Sequence, residues 1–202
     1  MFNIEIMKLV LVSGSLAYDR IMNFQGHFKE HIMPEKIHVL NVSFVVETIE
    51  ERYGGTAGNI AYNLALLGYH PKLLSAAGDD FDRYRAHLEE SGVDTLLVEI
   101  VSDTKTAFAN IITDLDDNQI TAFYQGALAK AHATEDIPKD VSIALVAPES
   151  KDVMIARVKI YQQTGLRYLF DPAQQIPAFS GEELKRCIQG AYMLIGNDYE
   201  IS

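Results

Sequence analysis

A chain of 202 residues, 48% of them apolar, is long enough for one substantial core, and that composition excludes a disordered chain. Seventeen basic against twenty-eight acidic residues leave a net charge of −11, which repels phosphate backbones and anionic lipid and argues against nucleic acid or a membrane as partners. The single Cys187 excludes an internal disulfide and a Cys-rich metal site and, with no apolar run of membrane-spanning length, points to a cytoplasmic protein.

The apolar run from Lys8 to Ser13, closed by "SGS", predicts a strand covered on both faces. "KLVLVSGSLA" also has the outline of a short signal peptide, but Glu5 precedes a lone Lys8 and the run is short, so a first strand is the better reading. From Tyr18 to Thr48 no helical period is visible, and "KIHVLNVSFVVET" predicts one or two strands with an irregular link around Pro34. Ile60, Leu64 and Leu67 fall at i, i+4 and i+7, which predicts a helix stopped at Gly68. "PKLLSAAG" reads as a strand and "DDFDRYRAHLEESG" as a helix with acids in its first turn and Gly92 as its stop. Thr95 to Val101, Thr106 to Thr113 and Gln119 to Tyr124 are three consecutive strand candidates, the last two forming a hairpin across "DLDDN".

Beyond Thr134 strand and helix alternate again: "VSIALVAP", a helix from Lys151 to Gln163 stopped by Gly165, "RYLFDP", a helix capped by the Ser180/Glu183 pair, and "AYMLIGN" as a buried strand. The alternation predicts a parallel sheet with helices on both faces. Two β segments interrupt it, dividing the chain into an α/β core of residues 1–16, 49–94 and 126–202 and a β-lid of residues 17–48 and 95–125.

"RYGGTAGNIAYNLALLG", Arg52 to Gly68, puts glycines at the mouth of the first helix. Such glycines let a ligand approach backbone N–H groups at the positive end of the helix dipole, or else serve a tight turn that avoids a Cβ clash. Thr56, Asn59 and Asn63 share one helix face, as expected of polar groups aimed at a ligand or at a hydrogen-bond network. The run matches neither GxGxxG nor the phosphate loop ending in Lys-Ser/Thr.

These residues resemble the PfkB family of carbohydrate and nucleoside kinases. "GGTAGNIAYNLALLG" is similar to its first signature, "GSLAYD" to its opening strand, "AAGDDFDRYRAHLEESGVDT" to the block that follows, and "NDYE" to its Asn-x-x-Glu motif. The resemblance implies a ribokinase-like fold, a doubly wound, mostly parallel α/β sheet with a small β-sheet lid. It also implies transfer of the γ-phosphoryl of ATP to a hydroxyl, with Mg²⁺ and a monovalent cation as cofactors. "GGTAGN", "DLDDNQITAFYQGA" and "FDPAQQ" look closer to adenosine-kinase-like members, which makes a nucleoside the first expected acceptor; a simple sugar of the ribokinase or fructokinase type is the second.

Residue by residue, the resemblance makes Asp19, Gly54, Gly55 and Asn59 binders of acceptor hydroxyls, and Asn197 and Glu200 organisers of Mg²⁺. Asp171, ending a strand at the same edge, joins the metal or phosphate side or serves a turn before Pro172. Phe123, Tyr124 and Gln125 close the second lid segment and lie over the substrate or form the lid's own core. The family's second signature, Asp-Thr-x-Gly-Ala-Gly-Asp, which supplies the anion hole and the catalytic base, does not occur before Ser202. The expectation is therefore the acceptor-binding part of such a kinase, catalytically inactive alone or serving as a binding module, with self-association through exposed lid strands.

Overall fold

A computed structural model describes residues 9–201; Lys8, Glu5 and the signal-peptide reading lie outside them. The first half forms β1 (Leu9–Ser13), β2 (Ala17–Phe24), a one-turn helix α1 (Phe28–His31), β3 (Val46–Gly54), α2 (Thr56–Leu66), β4 (Lys72–Ala77) and α3 (Asp82–Glu90). It is followed by β5 (Val98–Ile100), β6 (Ala107–Thr113), β7 (Gln119–Tyr124), β8 (Val141–Val146), α4 (Lys151–Thr164), β9 (Arg167–Phe170), α5 (Gly181–Ile188), β10 (Met193–Leu194) and α6 (Asp198–Ile201).

The strands form a parallel six-stranded sheet of order β10-β9-β8-β1-β4-β5 and a mixed four-stranded sheet of order β3-β2-β6-β7. β1 is apolar from Leu9 to Val12 because it is interior, with β4 on one side and β8 on the other. Its alternate residues serve two cores. Val12, with Leu73 of β4, packs on Ala57 and Ala61 of α2, on Phe81 at the start of α3 and on Tyr84 and Leu88 of α3. Leu11, with Leu74, packs on Met154, Val158 and Tyr161 of α4 and Cys187 of α5. Full burial of each such Leu or Phe contributes roughly 1.5–3 kcal/mol, so these two faces hold the sheet between its helices.

The two-sheet architecture agrees with the expected ribokinase-like fold, and three segment readings are corrected. Thr95–Val101 reads as part of the lid from its sequence, but Val98–Ile100 pairs with Ser75–Ala77 and extends the core sheet. "KIHVLNVSFVVET" is β-rich in composition, yet Pro34–Val39 turns as a 3-10 helix and only Val46 onward is a strand. There β3 runs to Gly54 within the lid sheet, past the expected boundary at residue 48. "AYMLIG" is not a buried strand: β10 has two residues at the sheet edge, and Met193 is 50% exposed.

The Ser180/Glu183 capping box forms as expected. Glu183 Oε2 accepts from Ser180 N at 2.8 Å and Glu183 N donates to Ser180 Oγ at 3.3 Å, while Lys151 Nζ lies 3.2 Å from the carboxylate. The Ser180 backbone N–H first, then its hydroxyl and Lys151, lower the Glu183 carboxyl from 4.5 to about 2. The folded value lies below the unfolded one, so this stabilisation is present above pH 4.5 and is lost as pH falls toward about 2. The denaturant midpoint of the wild type is therefore expected to fall more steeply across that window than that of Glu183→Gln; parallel curves would refute the coupling.

Candidate functional site

The chain leaves β1 toward β4 and β5 on one side and returns through β8, β9 and β10 on the other, so the carboxyl ends of β1 and β8 mark a topological switch point. Ser15 N donates to Pro148 O at 3.0 Å there, joining the loops that follow the two strands. The start of α2 is tied to the same spot. Thr56 N donates to Ser15 Oγ at 3.0 Å, Ala57 N to Ser15 O at 3.0 Å, and Thr56 Oγ1 to Pro148 O at 3.1 Å.

This corrects the idea that the glycines open the helix N-terminus to a ligand. The first amides of α2 are already used by Ser15, and Asn59 N donates to Gly55 O at 3.0 Å. Gly55 is needed for packing instead: its φ is +86°, and a Cβ there would lie 2.5 Å from Ser15 O. The polar face resolves in the same way. Thr56 is held by Ser15 and Pro148, and Asn63 Nδ2 turns back to Asn59 O at 2.7 Å.

Two of the expected acceptor groups remain unengaged. Asp19, on β2, is half buried, and its carboxylate makes no hydrogen bond or ion pair to any described residue; burial pushes its pKa up. It lies directly against Gly54, where a Cβ would fall 2.2 Å from Asp19 Oδ2, so only glycine leaves that carboxylate its place. Tyr84 fixes this glycine by donating from its hydroxyl to Gly54 O at 2.9 Å. The Asn59 side chain likewise has no partner among the described residues. It is exposed and lines a cavity of about 360 Å³ with Arg52, Tyr53, Tyr62, Tyr84 and His87, which Asp19 does not line.

The lid register adds a further group. Asp19 pairs with Ala109, and Ala109 with Phe123, so Asp19 and Phe123 share one face of the lid across a small residue. Phe123 is 52% exposed and is no part of a lid core. Tyr124, one position on, faces the other way and packs on Phe108 at 5.0 Å. Gln125 lies past the end of β7, exposed, with no side-chain hydrogen bond to a described residue to tie it to Asp19.

Asp171 and Glu200 come together at the carboxyl ends of β9 and β10. Burial first, then the negative charge of Glu200, push the Asp171 carboxyl up. A partly buried carboxyl beside a second carboxylate makes a donor set suited to a hard divalent cation. Asn197 caps α6: Glu200 N donates to Asn197 Oδ1 at 2.9 Å and Asn197 N to Glu200 Oε2 at 3.0 Å, a reciprocal pair. At the lid tip, His27, Asp114 and Asp116 also gather ligand-type atoms within 4.8 Å. Lys29 Nζ already sits 2.9 Å from Asp116, and Asp114 accepts N–H groups of Phe28, Asp116 and Asn118.

Residues 7–202 match the model of the pfkB family of carbohydrate kinases. The chain belongs to this family. A nucleoside kinase of Methanothermobacter thermautotrophicus is 31% identical over 197 residues, 95% of this chain and 60% of that protein. The structure of Burkholderia thailandensis nucleoside kinase in complex with inosine is 40% identical and superposes with a TM-score of 0.81, covering 95% of this chain and 61% of the other. A second structure of that kinase, in complex with ADP-inosine, is 41% identical with a TM-score of 0.77, over the same shares of the two chains. This pfkB chain thus spans about three fifths of the length of the relatives it matches. Among its described residues no helix is long and apolar enough to cross a membrane.

Sequence reasoning missed Ser15, Tyr84 and Pro148, which hold Thr56, Ala57 and Gly54 in place. Ser15 caps a helix that begins 41 residues later, a relation that no local motif signals.

Proposed function

We propose that this chain supplies the acceptor side of an ATP-dependent nucleoside kinase. The observation that carries the reading is Asp19, a half-buried carboxylate with no hydrogen-bond or ion-pair partner among the described residues, held against Gly54. An unpaired, partly desolvated carboxylate is a charge-assisted acceptor waiting for hydroxyl donors, and adjacent ribose hydroxyls supply them. The exposed ring of Phe123, on the Asp19 face, suits the flat side of a base; Asn59 offers a donor and an acceptor from the neighbouring cavity that Asp19 does not line. A nucleoside is favoured over a simple sugar because the relatives this chain matches include nucleoside kinases, one of them in complex with inosine.

Asp171 and Glu200 would hold Mg²⁺, with Asn197 contributing through its cap of α6. When bound, the ion would offset charge on the phosphates of ATP. The chain's own part is to orient the acceptor hydroxyl for in-line attack, and phosphoryl transfer rests largely on such positioning. No Asp-Thr-x-Gly-Ala-Gly-Asp run occurs in the 202 residues, so the proposed role of this chain is acceptor binding, with the base and anion hole supplied from elsewhere. The lid edges β3 and β7, with Ile49 and Ile120 exposed, suit pairing with a second copy.

Calorimetric titration with inosine, adenosine and ribose tests the acceptor reading. Inosine or adenosine is expected to bind at least about tenfold more tightly than ribose, a difference of about 1.4 kcal/mol. Ribose binding as tightly would select the sugar reading, and no binding by any of the three would reject the acceptor site. A coupled ADP-release assay on the same chain is expected to show no acceptor-dependent turnover, and turnover would mean that the base lies within these residues. Glu200→Gln is expected to weaken Mg²⁺ binding followed by calorimetry while leaving inosine affinity unchanged; identical Mg²⁺ isotherms would remove Glu200 from the metal side.

A further inference from the structure

Behind the switch point lies an ion pair for which the acceptor site as drawn so far has no use. Arg157 of α4 donates from Nε to Glu149 Oε1 at 2.7 Å and from Nη2 to Oε2 at 3.2 Å, and the two side chains are 2% and 0% exposed. Arg157 Nη1 has no partner among the described residues, so Glu149 is the group that holds the guanidinium. Burying two charges is costly, and a pair of apolar side chains of similar volume commonly serves stability as well or better. Stability alone therefore does not explain the pair.

Its position does. Glu149 directly follows Pro148, whose carbonyl receives both Ser15 N and Thr56 Oγ1. Ser15 in turn receives Thr56 N and Ala57 N, and its carbonyl is the atom on which Gly55 packs. Gly55 is bonded to Gly54, the residue that makes room for Asp19. We infer that Glu149 and Arg157 are positioning residues of the acceptor site. The bidentate pair anchors the Ala147–Glu149 loop to α4, and Pro148 O hands that fixed position to the start of α2 and so to the Gly54–Asp19 contact. An ion pair suits the task because its two parallel hydrogen bonds fix direction as well as distance, whereas an apolar contact would let the loop slide. The inference rests on the acceptor-site reading above, and it concerns the positioning of that site, touching no reacting atom.

The test uses the full chain carrying Glu149→Leu together with Arg157→Met, which removes both charges at nearly constant volume and strands neither. The double variant is expected to melt within a few degrees of the wild type. In amide hydrogen exchange, Thr56 and Ala57 are expected to exchange at least about tenfold faster than in the wild type, while β1 and β4 amides keep their rates. Inosine affinity is expected to fall about five- to tenfold through lost preorganisation. Unchanged exchange at Thr56 and Ala57 would overturn the inference, as would faster exchange with unchanged inosine affinity. If the double variant fails to fold, Arg157→Lys, which keeps the charge and loses the fork, decides by the same exchange measurement: faster exchange at Thr56 and Ala57 supports the inference, and wild-type rates refute it. A wild type that binds no nucleoside would instead sink the acceptor reading, a failure distinguishable because the exchange rates do not depend on ligand.

Discussion

Replacing Asp19 with Asn is expected to weaken inosine binding by roughly ten- to a hundredfold, the loss of a hydrogen bond to a charged acceptor at about 1.5–3 kcal/mol, without lowering the melting temperature. The two halves of this expectation have one cause. Asp19 is half buried, has no described partner, and is pushed up in pKa by desolvation. A carboxyl whose folded value is raised favours folding while it is protonated, and that contribution is lost as pH rises through the raised value. At neutral pH the ionised group therefore burdens the fold, and the neutral amide, which fits the same space against Gly54, relieves it. A residue that costs stability and satisfies no hydrogen-bond donor among the described residues has the signature of one kept for a ligand. Calorimetry and thermal melting on the same preparation decide: unchanged inosine affinity removes the assignment, and a markedly lower melting temperature would make Asp19 structural.

The same residue illustrates what was legible in the sequence. Asp19, Gly54, Gly55 and Asn59 stand in short motifs whose order follows the chain, and helix ends such as Gly68 and the Ser180/Glu183 box carry their signals within a few residues. Strand partnership is different. Val98–Ile100 has the composition of a lid strand and follows no helix pattern, but joins the core because Ser75 lies opposite Val98 across a gap of 23 residues, a relation set by packing. β3, with Glu50, Glu51 and Arg52 in its middle, is exposed over most of its length, so no apolar alternation announces it. The glycine pair misled in an instructive way. Glycine before a helix is compatible with an open anion site and with a closed, tightly packed turn, and the choice depended on Ser15, whose hydroxyl and carbonyl reach the α2 amides from the far end of a strand pair. The Asn-x-x-Glu motif, proposed as a metal-side pair, is also a reciprocal helix cap, which becomes visible only when both hydrogen bonds are seen.

Adding one methyl group at each of the adjacent glycines is expected to separate function from folding. At Gly54 the new Cβ would lie 2.2 Å from Asp19 Oδ2 and 2.8 Å from its Cγ, atoms at the free end of a side chain that can rotate away. The cost to the fold is then that of a displaced rotamer, about 0.5–1.5 kcal/mol, while the carboxylate leaves its place and inosine affinity falls about as far as in Asp19→Asn. At Gly55 the Cβ would meet Ser15 O at 2.5 Å, Ala17 N at 2.7 Å and Leu16 Cα at 2.8 Å, which are backbone atoms, at a φ of +86° that an alanine resists. Left-handed strain of about 1–2 kcal/mol and overpacking of about 1–3 kcal/mol together cost roughly 3 kcal/mol. For a domain of this size that lowers the melting temperature by about 6–12 °C. Melting curves and inosine titrations of Gly54→Ala and Gly55→Ala, run side by side, are therefore expected to give a nearly stable protein that binds poorly and a markedly unstable one. If Gly54→Ala binds inosine like the wild type, Asp19 does not need its present position; if Gly55→Ala melts like the wild type, the Ser15–Ala17 backbone is not the rigid wall against which this site is built.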